Sequence, residues 1–154
     1  LAAPAISHLI GTVGFIVLIF VLPMFYFNIT ANIESDVISR ELQEIVDYTS
    51  STVENLYFLV NSTDSQDLAM EKELVYLPSY VEDSVYVLEL VSSETDGEGL
   101  NVRAVLKNDD SVEAHSWLIP GLTVVEDKKI IESIDQSVFV GCSKNVTGTY
   151  IWLR

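Results

Sequence analysis

The first 33 residues contain no aspartate, glutamate, lysine or arginine, and the first residue certain to be charged is Glu34. Without those charges nothing interrupts the run Ile6–Phe27, ISHLIGTVGFIVLIFVLPMFYF, which is apolar almost throughout. A helix needs roughly 20 apolar residues to cross a bilayer core, and this run is long enough. Basic residues are scarce everywhere: 8 Lys and Arg stand against 23 Asp and Glu, a formal charge of −15. Phosphate binding needs a basic face, so nucleic acid is excluded as a partner. All the formal charge follows residue 33, and an acidic exterior of this kind stays soluble by self-repulsion, in salt or with cations present.

Cysteine is nearly absent. Cys142 is the single one, so no intrachain disulfide exists. It sits in Val138-Phe139-Val140-Gly141-Cys142 and reads as a small buried apolar residue; a reactive thiol or an intersubunit disulfide is the alternative. Histidine is almost as rare, with only His8 and His115. There is no HExxH and no paired-cysteine spacing, which argues against a zinc site. No local signature supports a Ser-His-Asp arrangement. Two acidic stretches, Asp96-Gly97-Glu98-Gly99 and Asn108 to Glu113, offer clustered oxygens but lack EF-hand spacing. Hairpin turns account for both, since Asp-Gly and Asn-Asp are ordinary turn chemistry. The expectation is therefore a chain with no catalytic residues, no cofactor and no metal, and not an enzyme.

What is present is helical period, and a great deal of it. No Gly or Pro lies between Met24 and Val60. Ile38, Leu42, Ile45, Val46, Thr49, Val53, Leu56 and Val60 recur at steps of three and four, which makes one apolar face. The pattern predicts a single helix from about Ala5 to Val60, roughly 80 Å long at 1.5 Å per residue. Residues 1–30 are expected to serve as a membrane segment or filament core, and residues 31–60 to pack on a head domain through Ile38, Leu42, Ile45, Val53 and Leu56. Pro23 removes one helical hydrogen bond and clashes one turn back, so a kink or local melting is expected there. Gly11, Thr12 and Gly14 are small enough to allow close helix–helix approach.

From Asn61 the period changes. Asn61 to Asp67 reads as a polar loop, and short β-rich runs follow at Lys72–Leu77, Val85–Val91, Leu100–Leu106, Leu122–Val125, Ile130–Ile134, Ser137–Cys142 and Thr149–Leu153. Turn signals lie between them, at Thr95 to Gly99, Lys107 to Asp110, Pro120-Gly121, Glu126 to Lys129 and Asn145 to Gly148. The fold class is thus α+β: a long N-terminal hydrophobic helix, 1–60, and a β-rich globular head, 61–154, built as an antiparallel sandwich. Three sequons occur, at Asn28, Asn61 and Asn145. Asn61 and Asn145 fall in polar loops where a glycan can project into water. Asn28 lies within the helix, where a sugar would obstruct packing, and is expected to be bare.

The opening Leu1-Ala2-Ala3-Pro4-Ala5-Ile6-Ser7-His8-Leu9-Ile10-Gly11-Thr12 resembles the mature N-terminus of archaeal type IV pilins. Leu1 matches the cleavage position, Ala5-Ile6-Ser7 the helix entry, and Gly11, Thr12 and Gly14 the small residues of the apolar helix. Ile10-Gly11-Thr12 and Phe15-Ile16 also look like archaellins, the related flagellar subunits. The resemblance is close over about the first 30 residues and beyond them holds only in layout. Bacterial pilins carry Glu at the fifth position; Ala5 fits the archaeal branch.

A membrane helix normally has Lys or Arg on its cytoplasmic flank, and here the first basic residue, Arg40, is on the far side. The expectation is a basic leader upstream of Leu1, removed before the apolar run. The resemblance implies the pilin-like fold and an extracellular pilus subunit, inserted in the cytoplasmic membrane before assembly. It would polymerise through its helix, with Ile6, Ile10, Gly11, Gly14, Phe15, Leu18 and Pro23 in the filament core. The β head, carrying N-linked glycans, would face outward for adhesion. The resemblance further implies a prepilin peptidase, an assembly ATPase and a platform protein as partners, besides the chain itself. Two other readings fit the same layout: an archaellum filament subunit, and a membrane-anchored stator-like binding module.

Overall fold

A computed structural model describes residues 3–65, 67–92, 99–135 and 137–154, with side chains from residue 8 onward. Among the described residues one helix, α1 (Ala3–Ser62), is followed by eight strands: β1 (Leu68–Glu73), β2 (Tyr86–Ser92), β3 (Leu100–Leu106), β4 (Asp109–Trp117), β5 (Leu122–Val124), β6 (Ile130–Glu132), β7 (Phe139–Asn145) and β8 (Gly148–Leu153). A single 3₁₀ turn, Glu126–Lys128, precedes β6. The contacts divide the chain into two units, Leu1–Val37 and Ile38–Arg154. The class is α+β, a long apolar helix followed by two sheets.

Within the second unit the helix buries one stripe. Leu42, Ile45, Val46, Thr49, Val53, Leu56 and Val60 are buried, and Ile38, Tyr48 and Tyr57 pack beside them. Arg40, Glu41, Glu44 and Asp47 remain in water. Each buried Leu, Ile or Val stabilises by about 1.5–3 kcal/mol relative to exposure. Thr49 is fully buried, and its hydroxyl donates to the Ile45 carbonyl at 2.8 Å, so that hydroxyl is not stranded in the core. Ser62 and Thr63 donate to the Leu59 carbonyl and close the helix.

The sheets run β1-β7-β8-β5 and β4-β3-β2-β6. Alternation puts Val140, Cys142, Ile151 and Leu153 of the first, and Tyr86, Leu88, Leu90, Val102, Ala104 and Ala114 of the second, into one cluster with the helix stripe. Edge strand β4 turns carbonyls away from β3. Two of them are covered by the helix: Gln43 Nε2 donates to His115 O and Ser50 Oγ to Trp117 O, both at 3.3 Å. These bonds occupy part of an edge that could otherwise template further strands. A polar knot ties the β1–β2 connection to the sheet. Tyr86 donates its hydroxyl to Pro78 O at 2.7 Å, and Ser133 Oγ donates to Ser79 O while accepting from Tyr86 N.

The head departs from its sequence reading in four places. It is not wholly antiparallel: β5 pairs in parallel with β8, making the first sheet mixed. The chain leaves β4 in one sheet and re-enters as β5 in the other, passing Gly121 at φ 89°, a backbone state that favours glycine. Strand β4 is absent from the sequence reading, which places turn signals at Lys107–Asp110 and no strand between those and Leu122, because Asp109, Asp110 and Glu113 mask its alternation; as an edge strand it buries only Ala114. The first strand is Leu68–Glu73 rather than Lys72–Leu77, its register set by β7. Asn61 lies in the last turn of α1, not in a loop, since no breaker separates it from Val60. Of the expected Thr95–Gly99 turn only Gly99 is described, and the Asp96 and Glu98 carboxylates fall outside the described residues.

Candidate functional site

The first unit presents an apolar helix with nothing covering it. Every described side chain from residue 8 to residue 36 is exposed. Phe15, Ile16, Val17, Leu18, Ile19, Phe20, Val21 and Leu22 follow one another around more than two full turns, so the exposure is not confined to one face. The segment has a mean hydropathy of 2.4 over its best 18-residue window, and none of that window is buried. A helix that is apolar on all sides belongs in a bilayer or inside a larger core. It is the only such helix among the described residues.

Three of its polar side chains bond back to the helix backbone. Thr12 Oγ1 donates to His8 O at 2.8 Å, Asn28 Nδ2 to Met24 O at 2.9 Å and Thr30 Oγ1 to Tyr26 O at 2.9 Å. Each bond runs back one turn, so the two hydroxyl hydrogens and one Asn28 amide hydrogen are taken up within the helix. Helix continues without interruption through Pro23, and the local melting expected there does not occur. Pro23 has no N–H, so the Ile19 carbonyl lacks its helical donor. A Cβ added at Gly11 or Gly14 would meet no atom within 4 Å, leaving both backbones approachable.

The residues expected to pack a filament core therefore lie on this surface: Ile10, Phe15 and Leu18 are exposed, with Gly11, Gly14 and Pro23 among them. Leu1 and the Ile6 side chain lie outside the described residues. Ile38, Leu42, Ile45, Val53 and Leu56 stand in the second unit's helix stripe, Ile38 at its margin and the others buried. Asn28 is exposed but its amide nitrogen is engaged with Met24 O. Asn61 is exposed in the last turn of α1, and Asn145 is exposed at the β7–β8 turn.

The head's ionised groups are laid out as a surface ladder. Arg103 meets Glu113 at 2.8 Å and Glu89 at 3.6 Å, and His115 Nε2 lies 3.2 Å from Glu113. Hydrogen bonds from His115 and Arg103 hold the Glu113 carboxyl below the usual carboxylate range. A bond from Ser111 lowers Asp109 likewise. Burial pushes the Cys142 thiol up to about 11, so it is neutral and unreactive at neutral pH. Among the described residues no three His, Cys, Asp or Glu side chains gather closely enough to hold a metal ion.

Sequence reasoning overlooked one surface, the outward face of β7 and β8, where Tyr150 and Trp152 stand opposite Ser143 and Gly141. The signal was Tyr and Trp at alternate positions near the chain's end, but their neighbours depended on a pairing register the sequence does not display. Comparison with protein-family models, curated proteins and solved structures finds no match.

Proposed function

We propose that this chain is the structural subunit of an extracellular archaeal type IV pilus. It polymerises through its N-terminal helix and carries its β head, pilin-like in layout, on the outside for surface attachment. The observation that carries this reading is the helix of the first unit, apolar on every side and charge-free up to Glu34. In the cytoplasmic membrane that surface faces lipid; in the filament it faces copies of itself. Head-to-tail association of identical subunits does not close, so it grows as an open helical polymer. The resemblance of residues 1–30 to archaeal pilins adds the assembly route, and the acidic head supports an outer position in water. No catalysis is required. The decisive experiment is electron microscopy of cell-surface filaments with mass spectrometry of their subunit. Filaments built from this chain are expected; a chain found only as a dispersed membrane monomer would favour the anchored binding module instead.

A further inference from the structure

β7 and β8 form a hairpin in which Asn145 pairs with Gly148, Ser143 with Tyr150 and Gly141 with Trp152. The intervening residues Cys142 and Ile151 are buried in the core. Side chains alternate across a strand, so Asn145, Ser143, Tyr150 and Trp152 share the outward face. The Trp152 indole lies across Gly141: a Cβ added there would overlap Cε2, Cζ2 and Nε1 of the ring. Its N–H reaches across β7 and donates to Glu71 Oε1 at 3.2 Å, on β1. One face of the ring is thus held against the sheet. Trp152 as a whole is half-buried on the outward side, and the exposed Lys128 places its Nζ 6.0 Å from the ring centroid, at the limit of cation–π contact.

The sequon Asn145-Val146-Thr147 closes one end of this same face. Asn145 Oδ1 accepts from Thr147 N at 2.9 Å, Thr147 Oγ1 at 2.6 Å and Gly148 N at 3.0 Å. The amide plane is fixed, and its nitrogen has no hydrogen-bond partner among the described residues. Asn28 shows the opposite arrangement, with its nitrogen spent on the helix backbone. Thr147 Oγ1 also lies 3.0 Å from the Tyr150 hydroxyl, which links the sequon to the first ring of the face.

We propose that Asn145 carries an N-linked glycan that folds back along this face, its first sugars stacked on Tyr150 and Trp152. The proposal rests on the head facing the outside of the cell. In the transfer, Asn145 Nδ2 attacks the anomeric carbon of a lipid-phosphate-linked oligosaccharide. The carbon–oxygen bond to phosphate breaks, phosphate leaves with the electron pair, and a base on the transferase takes the amide proton. At about 3.3 Å per residue, the Tyr150 and Trp152 rows lie roughly 7 and 13 Å from the Asn145 row. The C–H faces of sugars are attracted by the negative faces of aromatic rings. Ser143, Glu71 and Lys128 supply hydrogen-bonding groups along the same path.

The test uses the full chain in detergent, from its native source or a host with the same glycosylation. Trp117→Phe leaves Trp152 as the sole tryptophan, since the sequence has 2. Peptide mapping reads occupancy of Asn145, and acrylamide quenching reads access to Trp152. Occupied Asn145 with Trp152 quenched severalfold less than in Asn145→Gln is the expected result. Thr147→Ala, which also destroys the sequon, should match Asn145→Gln, and Thr147→Ser, which keeps it, should match the parent. An unmodified Asn145 overturns the proposal, as does equal quenching with and without the glycan. Filament formation is scored by electron microscopy on the source cells before detergent is added. Its loss with Asn145 occupied and Trp152 protected would overturn the pilus reading and leave this one standing.

Discussion

Leu18 and Leu42 belong to the same helix, yet Leu18 is 52% exposed and Leu42 fully buried. The two units around them handle polar groups just as differently. In the first, Thr12, Asn28 and Thr30 bond to their own backbone one turn back. In the second, Tyr86, Ser133, Gln43 and Ser50 reach carbonyls distant in sequence. A helix can be complete in its backbone bonds and still lack a surround. The first unit is built to receive one from outside the chain; the second makes its own.

The largest effect should come from removing the first unit. Deleting residues 1–30 is expected to abolish assembly and leave a soluble monomeric β protein, read by sedimentation and electron microscopy. If the truncated chain still formed filaments, the helix would not be the polymerising surface.

Next are matched substitutions in the two halves of α1. Leu42→Asp places an unpaired charge in the core, where even truncation to Ala costs about 2–5 kcal/mol, out of a total stability of about 5–15 kcal/mol. Thermal unfolding of a soluble chain beginning near Asn32 should show the loss. Glu41→Ala and Glu44→Ala, on the exposed side, should change stability by only tenths of a kcal/mol. In the full chain Leu18→Asp should leave the head's melting unchanged and prevent assembly. Were Leu18→Asp to destabilise the head, the division between the units would fail.

The polar contrast predicts a smaller effect. Tyr86→Phe leaves the Pro78 carbonyl without its donor in a part-buried bond, at a cost of about 1 kcal/mol in denaturant unfolding. Thr30→Val, which loses only a bond within its own helix turn, should leave head stability unchanged.

The smallest effect is electrostatic and confined to the second unit. The folded-state pKa of Glu113 is depressed, so its contribution is present above the unfolded carboxylate value, about 4.3, and is lost as pH falls through the lower folded value. Because the group is exposed, Glu113→Gln should cost only tenths of a kcal/mol at pH 7, and the difference from the parent should shrink as pH falls below about 4.3. A constant difference across that range would mean that packing, not charge, holds the ladder.

The sequence by itself determined the long helix, its charge-free first half and the stripe from Leu42 to Val60, because helical period and net charge are local properties that one pass along the chain displays. It also determined most strand positions, where Val, Ile and Tyr alternate without acidic interruption. Only the tertiary structure decided that Asp109–Trp117 is a strand, that β5 runs parallel to β8, and that Gly141 lies beneath Trp152. Each is a pairing between residues distant in sequence, and a register shift of one residue would send every side chain to the other face. The same reason separates the two candidate surfaces. The apolar helix was legible because its character lies in consecutive residues. The face shared by Asn145, Tyr150 and Trp152 exists only once β7 and β8 are aligned.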